Sequence, residues 1–180
     1  MITRVKKNKK TIQVLKAMHI VAWAAFVGFM IEGCAVIVSY IVSCFRSDSD
    51  KYVYKKLNLS ALQQFSFDHY TLYVSFMAVL LIMKAIIAFL VIKAISKINL
   101  VNPFKKEVVF ILESVSYVLI GASVVVLLHN LHVAWLLEKT GVQYGEWDAG
   151  EYFFIAGLVF IISQIYKRGV EIQSENELTV

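Results

Sequence analysis

The chain has 180 residues, which is room for one domain, and a formal net charge of +5. Apolar residues make up 59% of it and charged residues 17%, whereas soluble domains contain roughly 45–50% and about 25% respectively. A soluble protein of this length cannot bury so much apolar surface, so the composition excludes an ordinary soluble domain and indicates a lipid environment.

Four apolar runs, at about residues 17–44, 70–95, 108–137 and 152–166, predict membrane spans. A helix needs about 20 residues to cross the hydrocarbon core. Lipid leaves only helices and closed barrels as spanning structures, and the alternation of a strand is absent from these runs. The sequence therefore predicts an all-α fold, an integral membrane four-helix transmembrane bundle, as a single membrane domain over residues 1–180.

The first run contains Ala24 and Gly28, a pair of small residues four positions apart. Such pairs permit close helix approach, either within the bundle or in a homo-oligomer. The outer loop 46–69 follows. Leu57, Ala61, Leu62 and Phe65 have the spacing of a short helix lying on the membrane, but residues 52–54 equally suit the start of a strand, and the sequence leaves both open.

Glu32 lies near the centre of the first span and Lys84 near the centre of the second. A lone charge at mid-bilayer costs about 2.5–3.5 kcal/mol on insertion scales. We therefore expect both side chains to face the bundle interior and to pair. The leading interpretation is an ion pair that fixes the register of the two helices. One alternative is a proton or ion pathway. The other is no contact, with the Lys84 side chain snorkelling inward.

Asn102 and Pro103 predict the start of the third helix, since Asn is a good N-cap and Pro is favoured at the first helical position. Further along this helix, Glu113 shares a face with three other polar or small residues: Ser116, Tyr117 and Gly121. This face predicts a polar seam against another helix, with Gln164 as the partner of Glu113.

His129 and His132 share a helical face near the outer end of the third span, and His69 marks the outer start of the second. They are weak candidates for a metal site. Interfacial histidines with ordinary hydrogen bonds are the favoured interpretation, so neither metal nor cofactor is predicted. Enzyme signatures such as a nucleotide-binding glycine loop, HExxH or a serine-nucleophile elbow are absent from the sequence, and we expect no enzymatic activity.

The fourth run leads into a tail at residues 167–180, and Gly169 is expected to end the helix as its C-cap. Apolar residues then alternate with acidic ones. The tail is expected either to dock under the bundle or to bind a partner. The candidates for partner binding are Arg168, Gly169, Glu171, Glu175 and Glu177.

The distribution of Lys and Arg predicts the orientation. Six of these residues lie in the tail 1–16, four at 93–106 and two at 167–168, against five on the opposite side. Because Lys and Arg accumulate in cytoplasmic segments, both termini and the middle loop are expected in the cytoplasm.

Two stretches resemble a known family. Asn102-Pro103-Phe104 opens a helix after a basic loop, and residues 166–180 read YKRGVEIQSENELTV. Both are similar to the YoaS-like bacterial membrane proteins, a family of unknown function (DUF2975) with four predicted helices. The resemblance implies a multi-pass protein of the bacterial plasma (inner) membrane. It also implies a cytoplasmic helix-turn-helix regulator as a partner, because members tend to be encoded beside one.

The leading functional hypothesis is therefore a non-enzymatic regulatory or sensory protein that works with such a regulator and does not itself bind nucleic acid. The alternative is a small transporter or ion-pathway subunit built on Glu32 and Lys84, which would need to oligomerise.

Overall fold

A computed structural model describes residues 2–45, 59–98 and 104–177, and in these ranges every regular element is an α-helix. The helices are α1 (Ile2–Phe45), α2 (Ser60–Phe65), α3 (Phe67–Lys97), α4 (Lys106–Thr140) and α5 (Ala149–Glu177). Within them, four segments are long and apolar enough to cross a membrane: Thr11–Phe45, Phe67–Lys97, Lys106–Thr140 and Ala149–Glu175. The predicted all-α membrane fold with four spans is confirmed.

The long helices pack in chain order. α1 lies on α3, α3 on α4, and α4 on α5, so α3 and α4 occupy the middle and α1 and α5 the edges. Consecutive long helices run antiparallel, and both ends of the described chain lie on one side. We call this side the terminal face (the start of α1, Ile98, Phe104, Lys105 and the end of α5). The opposite side, with α2 and residues 141–148, is the distal face.

The core is concentrated between α3 and α4 near the distal face. Tyr73 of α3 and Leu136 of α4 are fully buried there, and Leu62 of α2 joins the same cluster. The predicted short helix is thus present in the 46–69 segment, but Leu62 packs into protein rather than lipid. Leu57 and residues 52–54 lie outside the described residues.

The predicted end of the fourth helix is wrong. Instead of stopping at Gly169, α5 continues to Glu177, and the one positive-φ glycine in the described ranges is Gly141, which caps the end of α4 with φ 68°. A Cβ on Gly169 would lie 2.5 Å from ring carbons of Phe104. Gly169 is required for this close approach, and Val170 beside it is buried.

The third long helix begins at Lys106 rather than at Pro103. Lys105 has an extended backbone (φ −117°, ψ 136°), and its carbonyl accepts hydrogen bonds from the N–H groups of Val108 and Val109 at 3.0 and 3.4 Å, which closes the first turn. Phe104 precedes the helix, and its ring packs on Tyr166 of α5. The proposed helix-start pair, Asn102 and Pro103, lies outside the described residues.

Candidate ligand-binding cleft at the distal face

A cavity of about 430 Å³ lies between α1, α3 and the start of α5. Its volume falls in the range of small-molecule sites, about 300–1,000 Å³. We call it the distal cleft. It is lined by Glu32 of α1, by Met77, Leu80, Leu81 and Lys84 of α3, and by Glu146, Trp147, Asp148, Glu151 and Tyr152 before and within α5.

The structure brings both intramembrane charges predicted from sequence, Glu32 and Lys84, to this cleft. The Lys84 Nζ atom lies 5.8 Å from the ring centroid of Tyr152 and 6.0 Å from that of Phe29. The ammonium group is therefore close to one aromatic ring of α5 and one of α1. Both distances are within the reach of cation–π attraction.

The loop at 141–148 forms the mouth of the cleft, and Asn130 of α4 anchors it. The Asn130 Nδ2 atom donates to the Trp147 carbonyl at 2.7 Å, and the Trp147 N–H donates to Asn130 Oδ1 at 3.0 Å. This pairing satisfies both backbone groups of Trp147 with one side chain. The ring of His129 stacks on the Trp147 ring with centroids 3.6 Å apart and planes 1° apart.

Tyr144 anchors the same loop from within. Its side chain is 3% exposed and packs against Tyr73 with ring centroids 5.9 Å apart. Burial raises the pKa of the Tyr144 hydroxyl, so the group stays neutral in its apolar surroundings. Two independent anchors thus fix the loop between α4 and α5.

Asp148 orients the first turn of α5. Its Oδ1 atom accepts hydrogen bonds from the N–H groups of Gly150 at 2.9 Å and Glu151 at 3.2 Å. A carboxylate in this position satisfies free helical N–H groups and complements the helix dipole. The cap holds Glu151 and Tyr152 at the cleft. The spacing of Asp148 and Glu151 is close to the capping-box pattern, so this cap leaves a local signal in the sequence.

Hydroxyl groups join α1 to α3 near the same face. Tyr40 Oη lies 3.1 Å from Thr71 Oγ1, and Ser43 Oγ lies 2.9 Å from Tyr70 Oη. Gln63 of α2 adds a bond from Nε2 to the Ser43 carbonyl at 3.2 Å. These bonds fix the distal end of α1 against α2 and α3.

The three candidate metal histidines are not arranged as a metal site. His69 Nδ1 and His132 Nε2 are 3.3 Å apart, but His129 is fully buried against Trp147. No group of three or more His, Cys, Asp or Glu side chains with metal-binding geometry occurs among the described residues.

The predicted seam between the third and fourth spans brings Glu113 and Gln164 together. Gln164 Nε2 donates to Glu113 Oε1 at 3.2 Å, and Ser116 donates to the Ala156 carbonyl of α5 at 3.0 Å. Tyr117 does not belong to this seam, because its side chain is 62% exposed. Residue 117 follows 116 by about 100° around a helix, which turns it away from α5.

The candidates for partner binding lie on the last turns of α5 at the terminal face. Arg168 Nη1 and Glu171 Oε2 form an exposed ion pair at 2.8 Å, and Glu175 is exposed. Gly169 contacts Phe104, whose ring also packs on Tyr166 with centroids 5.1 Å apart. Glu177 is the last helical residue, and its side chain lies outside the described set.

Comparison with known proteins supplies a family but no function. Residues 48–180 match the model of a family described as "Protein of unknown function (DUF2975)". No curated protein and no solved structure matches the chain.

Proposed function

The chain belongs to the DUF2975 family of unknown function, and we propose that it is a non-enzymatic regulatory or sensory protein of the bacterial plasma membrane. In this proposal the distal cleft takes up a small ligand. The terminal face then passes the signal to a cytoplasmic protein. The positions of Lys and Arg support a cytoplasmic terminal face.

The continuity of α5 is the observation that carries the proposal. Glu151 and Tyr152 line the cleft in its first turn, whereas Arg168 and Glu171 lie at the terminal face of the same unbroken helix. Twenty helical residues span about 30 Å, roughly the hydrocarbon thickness. A helix break at Gly169 would have interrupted the rigid connection between the cleft and the last turns of α5.

The packing of α5 also suits a moving part. It lies at the edge of the row of long helices and packs mainly on α4. Only 11% of the residues in its most apolar stretch are buried. A helix held on one side can shift against its neighbour at lower cost than one enclosed by several helices. A ligand that contacts Glu151 or Tyr152 acts directly on this helix.

A helix-turn-helix regulator is the partner that the family resemblance implies. In-cell crosslinking and purification of the tagged full-length chain tests this, with the captured proteins identified by mass spectrometry. We expect capture of a helix-turn-helix protein, and loss of this capture in Glu171→Lys/Glu175→Lys. Glu138→Lys, an exposed charge reversal near the distal face, is the matched control and should retain it.

Absence of any helix-turn-helix protein after crosslinking of the unaltered chain would contradict the proposed partner. Equal capture by Glu171→Lys/Glu175→Lys would show that the end of α5 is not the docking surface.

A transport or ion-pathway subunit is the second candidate, because Glu32 and Lys84 line one cavity within the spanning helices. Intramembrane ionisable groups in a cavity are typical of such pathways. Flux through reconstituted liposomes that disappears in Glu32→Gln would favour this function. Liposomes that contain the unaltered chain but show no flux would count against it.

A further inference from the structure

The distal cleft has an unbalanced charge. Four carboxylates line it, from Glu32, Glu146, Asp148 and Glu151, against the single ammonium of Lys84, so its formal charge is −3. Asp148 directs one oxygen to the helix start, but Glu146 and Glu151 are exposed at the mouth. Acidic groups around a concave opening raise the local concentration of cations.

The walls of the cleft add aromatic rings to this charge. Trp147 and Tyr152 line the cavity, and the Phe29 ring of α1 lies 6.0 Å from the Lys84 ammonium. The Lys84 ammonium lies within about 6 Å of two of these rings. An ammonium group belonging to the chain itself is thus already held beside the aromatic walls, as a ligand cation would be.

We propose that the distal cleft binds a small organic cation, of the amine or quaternary onium class, and that the Lys84 ammonium competes with this ligand for the aromatic walls. The proposal rests on the proposed function in taking the cleft as a ligand site. The cation lies against the aromatic rings, and the carboxylates at the mouth neutralise its charge.

The chemistry favours an organic cation over a metal ion. Aromatic faces attract cations that are weakly hydrated, and quaternary ammonium recognition by aromatic side chains is a recurrent use of this attraction. Met77, Leu80 and Leu81 add an apolar floor that suits the carbon groups of such a ligand. Inorganic cations gain nothing from that floor.

Equilibrium binding of radiolabelled tetraphenylphosphonium to the purified full-length chain in detergent tests the proposal, with protein-free micelles as the blank. Lys84→Met removes the internal competitor and should raise the affinity about fivefold. Glu146→Gln/Glu151→Gln keeps the side-chain shapes and should lower it about tenfold. Because the two variants move the affinity in opposite directions, loss of folding cannot mimic the result.

Matched controls come from the same helices and the same charge types. Lys93→Met on α3 and Glu138→Gln on α4 lie outside the cleft lining and should leave the affinity unchanged. Tetraphenylborate, an anion of the same shape, should not bind above the micelle blank when assayed separately.

The following outcomes would overturn the cation proposal: saturable tetraphenylborate binding of equal strength, or Lys84→Met lowering the affinity for the cation. Absence of cation binding, together with capture of the helix-turn-helix partner through α5, would overturn the ligand class and leave the proposed function intact. Cation binding as expected, without capture of that partner, would support the ligand class and overturn the proposed function.

Discussion

The distal and terminal faces of the molecule are held together by different kinds of contact. At the distal face, partly buried hydrogen bonds join separate elements, as between Asn130 and Trp147 or between Ser43 and Tyr70. At the terminal face, exposed side chains form ion pairs, as between Lys97 and Glu107 at 2.9 Å. The first kind of contact is shielded from water, whereas the second competes with it.

This difference matches the two roles proposed for the faces. A ligand site gains affinity when its walls are fixed before the ligand arrives, because less ordering is required on binding. A surface that docks a partner and responds to a moving helix benefits from contacts that exchange easily. Substitutions at the two faces should therefore differ in their effect on stability, and the comparison can be tested by graded substitutions.

Asn130→Ala should have the largest effect. It removes both hydrogen bonds to the Trp147 backbone and leaves those groups unpaired, so we expect the free energy of unfolding to fall by about 2–3 kcal/mol. Unfolding of the purified chain in mixed detergent micelles measures this. Gln143→Ala, an exposed side chain in the same loop, is the control and should change nothing. Equal stability of the two variants would remove the argument for a fixed cleft mouth.

Gly169→Ala should lower the free energy of unfolding by an intermediate amount, whereas its control should raise it. The new Cβ would lie 2.5 Å from the Phe104 ring, so the ring must move, and we expect a loss of about 1–2 kcal/mol. Gly157→Ala on the same helix has no atom within 4 Å of its Cβ and should gain about 0.5–1 kcal/mol from helix propensity.

The same unfolding assay extends to a double variant. Phe104→Ala removes the ring that the new Cβ meets, so the cost of adding Gly169→Ala should disappear in a Phe104→Ala background. A cost that persists there would show that Gly169 serves the helix backbone rather than this packing contact.

Gln164→Leu should have a smaller effect. It removes the bond to Glu113, and hydrogen bonds between membrane helices average about 0.6 kcal/mol in double-mutant cycles. Ser114→Ala is a suitable control, because the Ser114 hydroxyl donates only to the Phe110 carbonyl of its own helix. If both variants unfold alike, the Glu113–Gln164 bond contributes nothing specific to the seam between α4 and α5.

Lys97→Met should have the smallest effect. The ion pair with Glu107 is exposed on both sides, and water and salt screen such pairs. At physiological ionic strength we expect unfolding indistinguishable from that of the unaltered chain. A loss as large as that of Asn130→Ala would erase the contrast between the faces.

The features that the sequence predicted are those that the bilayer dictates. Four spans follow from the cost of exposing backbone groups to lipid, and the Glu113–Gln164 contact follows from the cost of polar groups there. These costs depend only on the type of each residue and its depth in the bilayer, so they can be predicted from the sequence alone. Both Glu32 and Lys84 line the distal cleft, and their direct pairing stays a prediction.

The features that the sequence did not predict depend on which elements meet. The sequence predicts a helix end at Gly169 because glycine commonly terminates helices. In the structure, Gly169 instead makes room for the ring of Phe104, which is distant in sequence. The Asn130–Trp147 pairing similarly depends on how the loop folds back over α4. Neither contact leaves a local pattern, whereas the cap by Asp148 does.

Site-directed labelling measures the central claim, a cleft mouth and an α5 end on opposite sides of a membrane. Cys34 and Cys44 are free thiols and would first be replaced by serine. A membrane-impermeant maleimide should then label Glu146→Cys in intact cells and Glu175→Cys only after the membrane is permeabilised. Labelling of Glu175→Cys in intact cells, or of both positions alike, would contradict the account.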